Sequence, residues 1–318
     1  MKSRPALILT LCAFAALLIV PEAVTDSCRY ALRLCAELIV PSLFPFFVLS
    51  ILLNKLGLPA ALGRIISPLA SRLYGVSGAG ATALIIGLTG GYPLGAAYIA
   101  DMERGGAISA REGERLLAFC NNSGPAFIIG GVGVGVFHSA SLGLMLYGIH
   151  ILSAVLTGLF FRGDCFEGRS IASADMDAEL SSALPAAVGQ AVDSVLNVSG
   201  FVVCFTVLTG ILDARGFISL LCGAVSAGMG AELHFCRAAL TALLELGSAV
   251  GTMQGLRATP LNLALAAGAL GWGGLSVWFQ TRCVLSGSNL KGALHIAGRL
   301  IGAIIASVLA YSAGSLML

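Results

Sequence analysis

Apolar residues run along this chain in long blocks rather than in the one-sided stripes of surface helices. A helix needs about 20 apolar residues to cross a bilayer. The blocks 5–21, 37–56, 139–161, 184–212, 260–281 and 293–316 reach or approach that length, so each predicts a full span. Between them lie apolar stretches that polar residues interrupt. One is 75–104, broken at Thr89-Gly90-Gly91-Tyr92-Pro93. Each of its halves holds about a dozen residues, or about 18 Å of helix, roughly half a bilayer. That length predicts a re-entrant hairpin with its tip near mid-membrane.

A second interrupted stretch, 217–257, is expected to kink around Glu245-Leu246-Gly247-Ser248. A third polar break lies in 118–133, AFCNNSGPAFIIGGVG. There the spacing Ser109-x-x-Glu112 predicts a helix opening with a capping box. The helix is expected to run to Asn122, break at Ser123-Gly124-Pro125 and resume from Ala126. A matching interruption, GALGWGGLSVWFQT at 268–281, places Ser276 and Gln280 in a crossing element.

Composition turns these runs into a class. The chain is 57% hydrophobic and only 11% charged, whereas soluble domains carry roughly a quarter charged residues. Such a chain does not cover a water-facing surface, so the predicted fold is an all-α polytopic membrane protein. A length of 318 residues fits one membrane domain, 1–318. The 41 glycines suit close helix packing and broken helices. Basic residues are scattered, which excludes a nucleic-acid partner. The nine cysteines form no Cys-x-x-Cys pair and read as small hydrophobes. His138, His150, His234 and His295 show no metal-ligand spacing. The segment Pro5 to Val20 lacks a clear cleavage site after it and reads as a retained helix, not a signal peptide.

Charge then sets an expected orientation. With the N-terminus cytoplasmic, Lys2, Arg4, Lys55, Arg64, Arg72, Arg104, Arg111, Arg115, Arg162, Arg169, Arg282 and Lys291 fall inside. Only Arg29, Arg33, Arg215, Arg237 and Arg257 fall outside, with Arg299 in the last span. This bias follows the positive-inside rule. Residues 162–181 become a cytoplasmic loop between halves 37–161 and 182–318, after an N-terminal helix and connector, 1–36. The halves are weakly alike: 37–53 reads like 192–212, and breaks follow 44 to 46 residues later at Gly90 and Gly247. In this topology the hairpins enter from opposite sides, the inverted-repeat plan of many secondary transporters.

The polar breaks carry the candidate chemistry. Pro93 and Pro125 each remove a backbone donor and free a carbonyl, and lipid offers no partner. Half-helix N-termini after Gly90-Gly91 and Ser123-Gly124 attract anions. Asn121, Asn122, Thr89, Ser123 and Tyr92 add side chains that could replace a solute's hydration shell. Packing kinks tied by asparagines are the competing account. Glu245, in the apolar run AALTALLELGSAV, is the sharpest single residue. It could bind a proton or a sodium ion, contact a substrate hydroxyl or amine, or pair with Arg299. Asp193 is a weaker candidate. Arg111, Glu112, Glu114 and Arg115 read as a solvated helix face.

Enzyme motifs are absent: there is no His-Glu-x-x-His and no P-loop, and GVGVG at 131–135 lacks a βαβ context. Ser123 and His150 are the conceivable hydrolytic pair, but nothing in the sequence joins them.

The strings PSLFPFFVLSILL, GLTGGYPLGA, RLLAFCNNSGPAFIIG and GGLSVWFQT resemble the sporulation integral membrane proteins of the YlbJ/SpoVV family, over about 37–316. That family belongs with the nucleoside-recognition (gate) domain proteins, which look like the concentrative nucleoside transporters. The resemblance implies two re-entrant hairpins in inverted halves. It also implies a solute site lined by Thr89, Gly90, Gly91, Tyr92 and Pro93, with Asn121, Asn122, Ser123, Gly124 and Pro125. The sporulation branch is associated with dipicolinate, a small aromatic dicarboxylate. No string matches the nucleoside transporters' own sugar- and base-binding residues.

The resulting expectation is a secondary transporter of a small anionic or nucleoside-like metabolite. It would sit multi-pass in the cell membrane, or in a forespore-surrounding membrane, as a homo-oligomer. No cofactor is expected beyond a coupling ion, sodium or proton. The site would comprise the two sets above with Glu245, Gly247, Ser248, Ser276 and Gln280. A sporulation scaffold without transport and an intramembrane enzyme are the alternatives.

Overall fold

A computed structural model describes residues 4–164 and 179–317. Cys165, Arg169 and most of the 162–181 loop lie outside the described residues. Helix is the regular structure throughout, and the chain is a multi-pass membrane protein. Helix α1 is Arg4–Ile19 and α2 is Pro21–Lys55. Then come α3 (Leu58–Tyr74), α4 (Gly78–Thr89), α5 (Leu94–Arg104) and α6 (Ala110–Phe119). A π-helical segment, Phe127–Val134, leads to α7 (Ala140–Phe160). The second half holds α8 (Leu180–Ala214), α9 (Phe217–Met229), α10 (Leu233–Leu244) and α11 (Leu246–Met253). It closes with α12 (Pro260–Trp272), α13 (Gly274–Val284) and α14 (Ala293–Met317). Among the described residues five helical stretches are long and apolar enough to cross a membrane, six if α3 and α4, bent by 99°, count as one.

Three expected elements change shape. The connector at 22–36 is helical: α2 runs 35 residues with a π turn at Cys35–Ile39. Its first half is polar, so hydropathy marked only 37–56. Glu22 near its N-terminus and Arg33 in the last turn before the π segment suit the helix dipole. The span 260–281 is two helices, because Gly273 (φ 83°) and Gly274 (φ 85°) adopt a conformation other residues avoid. The second hairpin has arms α10 and α11, and α9 is a separate helix. Its break is Glu245, not Gly247, with Glu245 extended at φ −151°, ψ 125°.

The first hairpin, α4 and α5, forms where expected, with its break between Thr89 and Leu94. Ser109 caps α6 and accepts from the Glu112 N–H at 3.1 Å. The return half of the capping box is not made. Glu112 Oε1 instead accepts from the Ser77 N–H and Oγ at 2.7 and 2.8 Å, anchoring the start of α4. The solvated-face reading of α6 is thereby corrected for three of its four residues. Glu112 and Arg115 are buried. Arg115 donates to the carbonyls of Tyr74, Gly75 and Asp164. Glu114 accepts from the Gly292 and Ala293 N–H groups at 2.8 and 3.0 Å, capping α14. In a membrane protein a charged face on a short helix can be a set of anchors for other elements' termini.

One element order occurs twice. A long helix is followed by α3 or α9, each entered and left through left-handed glycines: Gly57 and Gly75, then Gly216 and Gly230. A hairpin follows, then a broken helix, then a full span. The main core joins α2, α8, α10, α11, α12 and α14 to the π segment and α7.

Candidate functional site

Both hairpin tips and both broken helices converge on one cavity. Gly91 and Tyr92 come from the first tip, and Glu245, Leu246 and Gly247 from the second. Gly124 and Phe127 come from the first broken helix, and Val277 and Gln280 from α13. Apolar side chains of α2 and α8 (Phe47 and Val202 among them) close the sides. Free space inside is about 40 Å³. That holds a few waters and is far below what a metabolite site requires. The first tip crosses the first broken helix backbone to backbone: at Gly91 (φ 76°) a Cβ would stand 2.8 Å from Gly124 N. Only glycine permits that approach.

A vestibule of about 660 Å³ opens on one side. Thr89, Gly90 and Pro125 line it, with Asn54, Tyr147, Gln190 and Asp193. Gly90 and Pro125 directly adjoin Gly91 and Gly124, so the wall between vestibule and cavity is the first tip and the first break. Thr89 hydroxyl donates to Ile85 O at 2.8 Å and faces the vestibule, not the cavity. Pro93 caps α5 and lines neither space.

Glu245 is 2% exposed. Its Oε1 accepts from the Gly247 N–H at 2.8 Å, and Oε2 from the Ser248 N–H. It therefore occupies the positive N-terminus of α11 itself. Ser248 Oγ lies 2.6 Å from Thr206 Oγ1, pinning that terminus to α8. The Ser276 hydroxyl sits near the Glu245 carboxylate without meeting hydrogen-bond geometry. Gln280 Oε1 is buried and unpartnered.

The expected alternative, a Glu245–Arg299 pair, does not form. Ion pairs among the described residues are Arg29–Asp26, Arg104–Asp101 and Arg237–Asp213. Arg299 is 4% exposed and is satisfied by acceptors at broken ends. It donates to Asn121 O at 2.7 Å, Asn122 Oδ1 at 3.2 Å, Leu270 O at 2.9 Å and Trp272 O at 3.4 Å. These lie at the C-terminal ends of α6 and α12, where dipoles favour a cation. Its guanidinium also lies 5.8 Å from the centre of the Tyr92 ring.

The asparagines stand behind the cavity. Asn121 Oδ1 accepts from the Ala96 N–H at 3.3 Å, and its amide donates to Thr281 Oγ1 at 3.0 Å. Asn122 donates to Phe119 O at 2.7 Å. Ser123 Oγ is 2.8 Å from Tyr92 Oη and donates to Leu270 O at 3.2 Å. The structure does bring Ser123 to His150, but the imidazole Nε2 accepts from the Ser123 backbone N–H at 3.1 Å. A hydrolytic base needs the hydroxyl instead. Asp193 is exposed in the vestibule, away from the cavity.

The sequence reading passed over Arg299 as an organiser. Its signal was available, because a basic residue inside an apolar span demands a partner. His150, Thr206 and Thr281 gave no such signal, since neutral polar residues are common in spans.

No protein-family model and no solved structure matches the chain. The chain is 28% identical over 315 residues to the sporulation integral membrane protein YlbJ of Bacillus subtilis (strain 168). That alignment covers 91% of this chain and 77% of the relative. The match supports assignment of the chain to the YlbJ family.

Proposed function

We propose, from that family assignment and the site just described, that this protein is a secondary transporter. It would carry a small anionic or nucleoside-like metabolite by alternating access. One observation carries the reading: two hairpin tips and two broken helices meet at a single cavity, one layer of backbone away from an open vestibule. Half-helix termini at mid-membrane are how many carriers hold ions and solutes. The cavity is small because it is closed, and displacing the Gly91–Gly124 crossing would join it to the vestibule.

The twice-used element order supports an inverted repeat, and the Lys/Arg bias supports a cytoplasmic N-terminus. The sporulation resemblance makes dipicolinate the first solute to test, with a forespore-surrounding membrane as the setting. A proton or sodium ion would couple the movement.

The test is flux in proteoliposomes that hold purified protein, with labelled dipicolinate, uridine and succinate supplied separately. Saturable uptake of one of them is expected, inhibited by excess unlabelled solute. No uptake of any by folded protein, at either pH 6 or pH 8 and with or without sodium, would remove the transport reading.

A further inference from the structure

The second hairpin tip already holds an anion. Both carboxylate oxygens of Glu245 are used by the Gly247 and Ser248 N–H groups. A second helix start presses on the same residue: a Cβ at Gly274, the first residue of α13, would stand 3.1 Å from Glu245 N. Among the described residues no Lys or Arg pairs with Glu245, and none lines the cavity. The amides at the N-terminus of α11 stand in for the missing cation.

In the same cavity Gln280, 4% exposed, points a carbonyl oxygen at no donor. A charged Glu245 does not serve that oxygen, since a carboxylate oxygen and an amide oxygen both only accept. A protonated Glu245 does, because a carboxylic acid carries one O–H donor. The charged form thus fits the amide pair, and the neutral form fits Gln280.

We infer that Glu245 is a proton-operated occupant of the anion seat: charged, it rests on the Gly247 and Ser248 amides, and protonated, it turns to Gln280 and yields that seat to a carboxylate of the passenger. The inference rests on the transport reading above. One proton then accompanies the carboxylate that takes the seat, and the charge at that seat stays as it was. Without the proton two carboxylates would share a buried site that holds no cation, which like charges oppose. The other ionisable groups facing Glu245 are Tyr30 and Cys35 of α2 and Tyr92 of the first tip. None of these types ionises in the range where a carboxylate titrates. Among the described residues α8, α12 and α13 bring no charge to it.

The experiment uses full-length protein in proteoliposomes with a pH-sensitive dye inside and labelled dipicolinate outside. Wild-type uptake should acidify the lumen. Above the pH at which Glu245 titrates, uptake should fall about tenfold per pH unit. Glu245→Gln, a fixed stand-in for the protonated form, should lose lumenal acidification, and the dipicolinate exchange that remains should be independent of pH. Gln280→Leu should move the fall in uptake to lower pH, because the neutral form loses its partner. If Glu245→Gln keeps the wild-type pH profile and proton movement, the inference is overturned and the transport reading stands. If folded wild-type protein moves no dipicolinate, uridine or succinate, the transport reading fails and takes the inference with it.

Discussion

The two hairpins solve one problem with opposite chemistry. Each bends between two short arms and exposes amides at the start of its second arm. In the first, a neutral amide from the neighbouring break, Asn121, reaches across to the Ala96 N–H. Behind it Arg299, Asn122, Ser123 and Tyr92 bond one another and the broken helix ends. In the second, the hairpin's own Glu245 folds back onto its amides, with an unpaired Gln280 opposite. The first is a joint held by several fixed bonds between elements, with the His150 Nδ1 left without a partner. The second is held by one titratable side chain that has somewhere else to go. A break inside lipid must be satisfied, but satisfaction by a fixed network and satisfaction by a proton-dependent group lead to different dynamics.

Substitutions can break this contrast. The largest effect is expected at Gly87, where a Cβ would fall 1.8 Å from the Cys120 carbonyl oxygen. That backbone does not retreat, so Gly87→Val should leave no monodisperse protein on size exclusion in detergent. Its counterpart in the second hairpin is Gly251, where a Cβ would meet the hydroxyl end of Tyr30 at 2.2 Å. That ring can rotate, and Gly251→Ala should fold with a loss of about 1 kcal/mol. Equal failure of both would erase the difference in rigidity.

Next comes Arg299→Met, which leaves Asn121 O, Asn122 Oδ1 and the carbonyls of Leu270 and Trp272 without this donor. A loss of about 3 kcal/mol is expected, read as a lowered thermal midpoint. Asn121→Leu removes the bonds to Ala96 and Thr281 together and should cost about 2 kcal/mol by the same measurement. Glu245→Gln keeps an acceptor on the tip and should stay within about 1 kcal/mol of wild type, while changing the pH profile of uptake. Should Asn121→Leu be silent in stability and Glu245→Gln unfold the protein, the assignment of fixed and movable hairpin is reversed. A small effect is also expected for Thr206→Val, about 1 kcal/mol, because it loses only the bond to Ser248.

Much of this was legible from residue order. Block hydrophobicity marked α7, α8 and α14 within a few residues, because a span must be apolar over a length that the bilayer fixes; the block at 5–21 is a helix of 16 residues, short of a full span. The first hairpin was legible because Gly-Gly and Pro punctuate an apolar run of two half-lengths. Glu245 stood out because a carboxylate there is expensive anywhere in lipid. The polar half of α2 was not legible, since helicity without hydropathy leaves no trace in a span search. Nor was the burial of Glu112 and Arg115, whose partners, the Ser77 hydroxyl and the Tyr74 carbonyl, lie 35 and 41 residues away.

By itself the sequence determined the membrane class, the break of the first hairpin and a carboxylate, Glu245, set deep in an apolar run. Tertiary structure alone decided how each break is satisfied: Arg299 goes to carbonyls rather than to Glu245, Asn121 to another hairpin's amide, and Glu245 to its own. The physical reason is that a buried polar group specifies only that it needs a partner. Which partner it finds depends on distances between segments that are far apart along the chain.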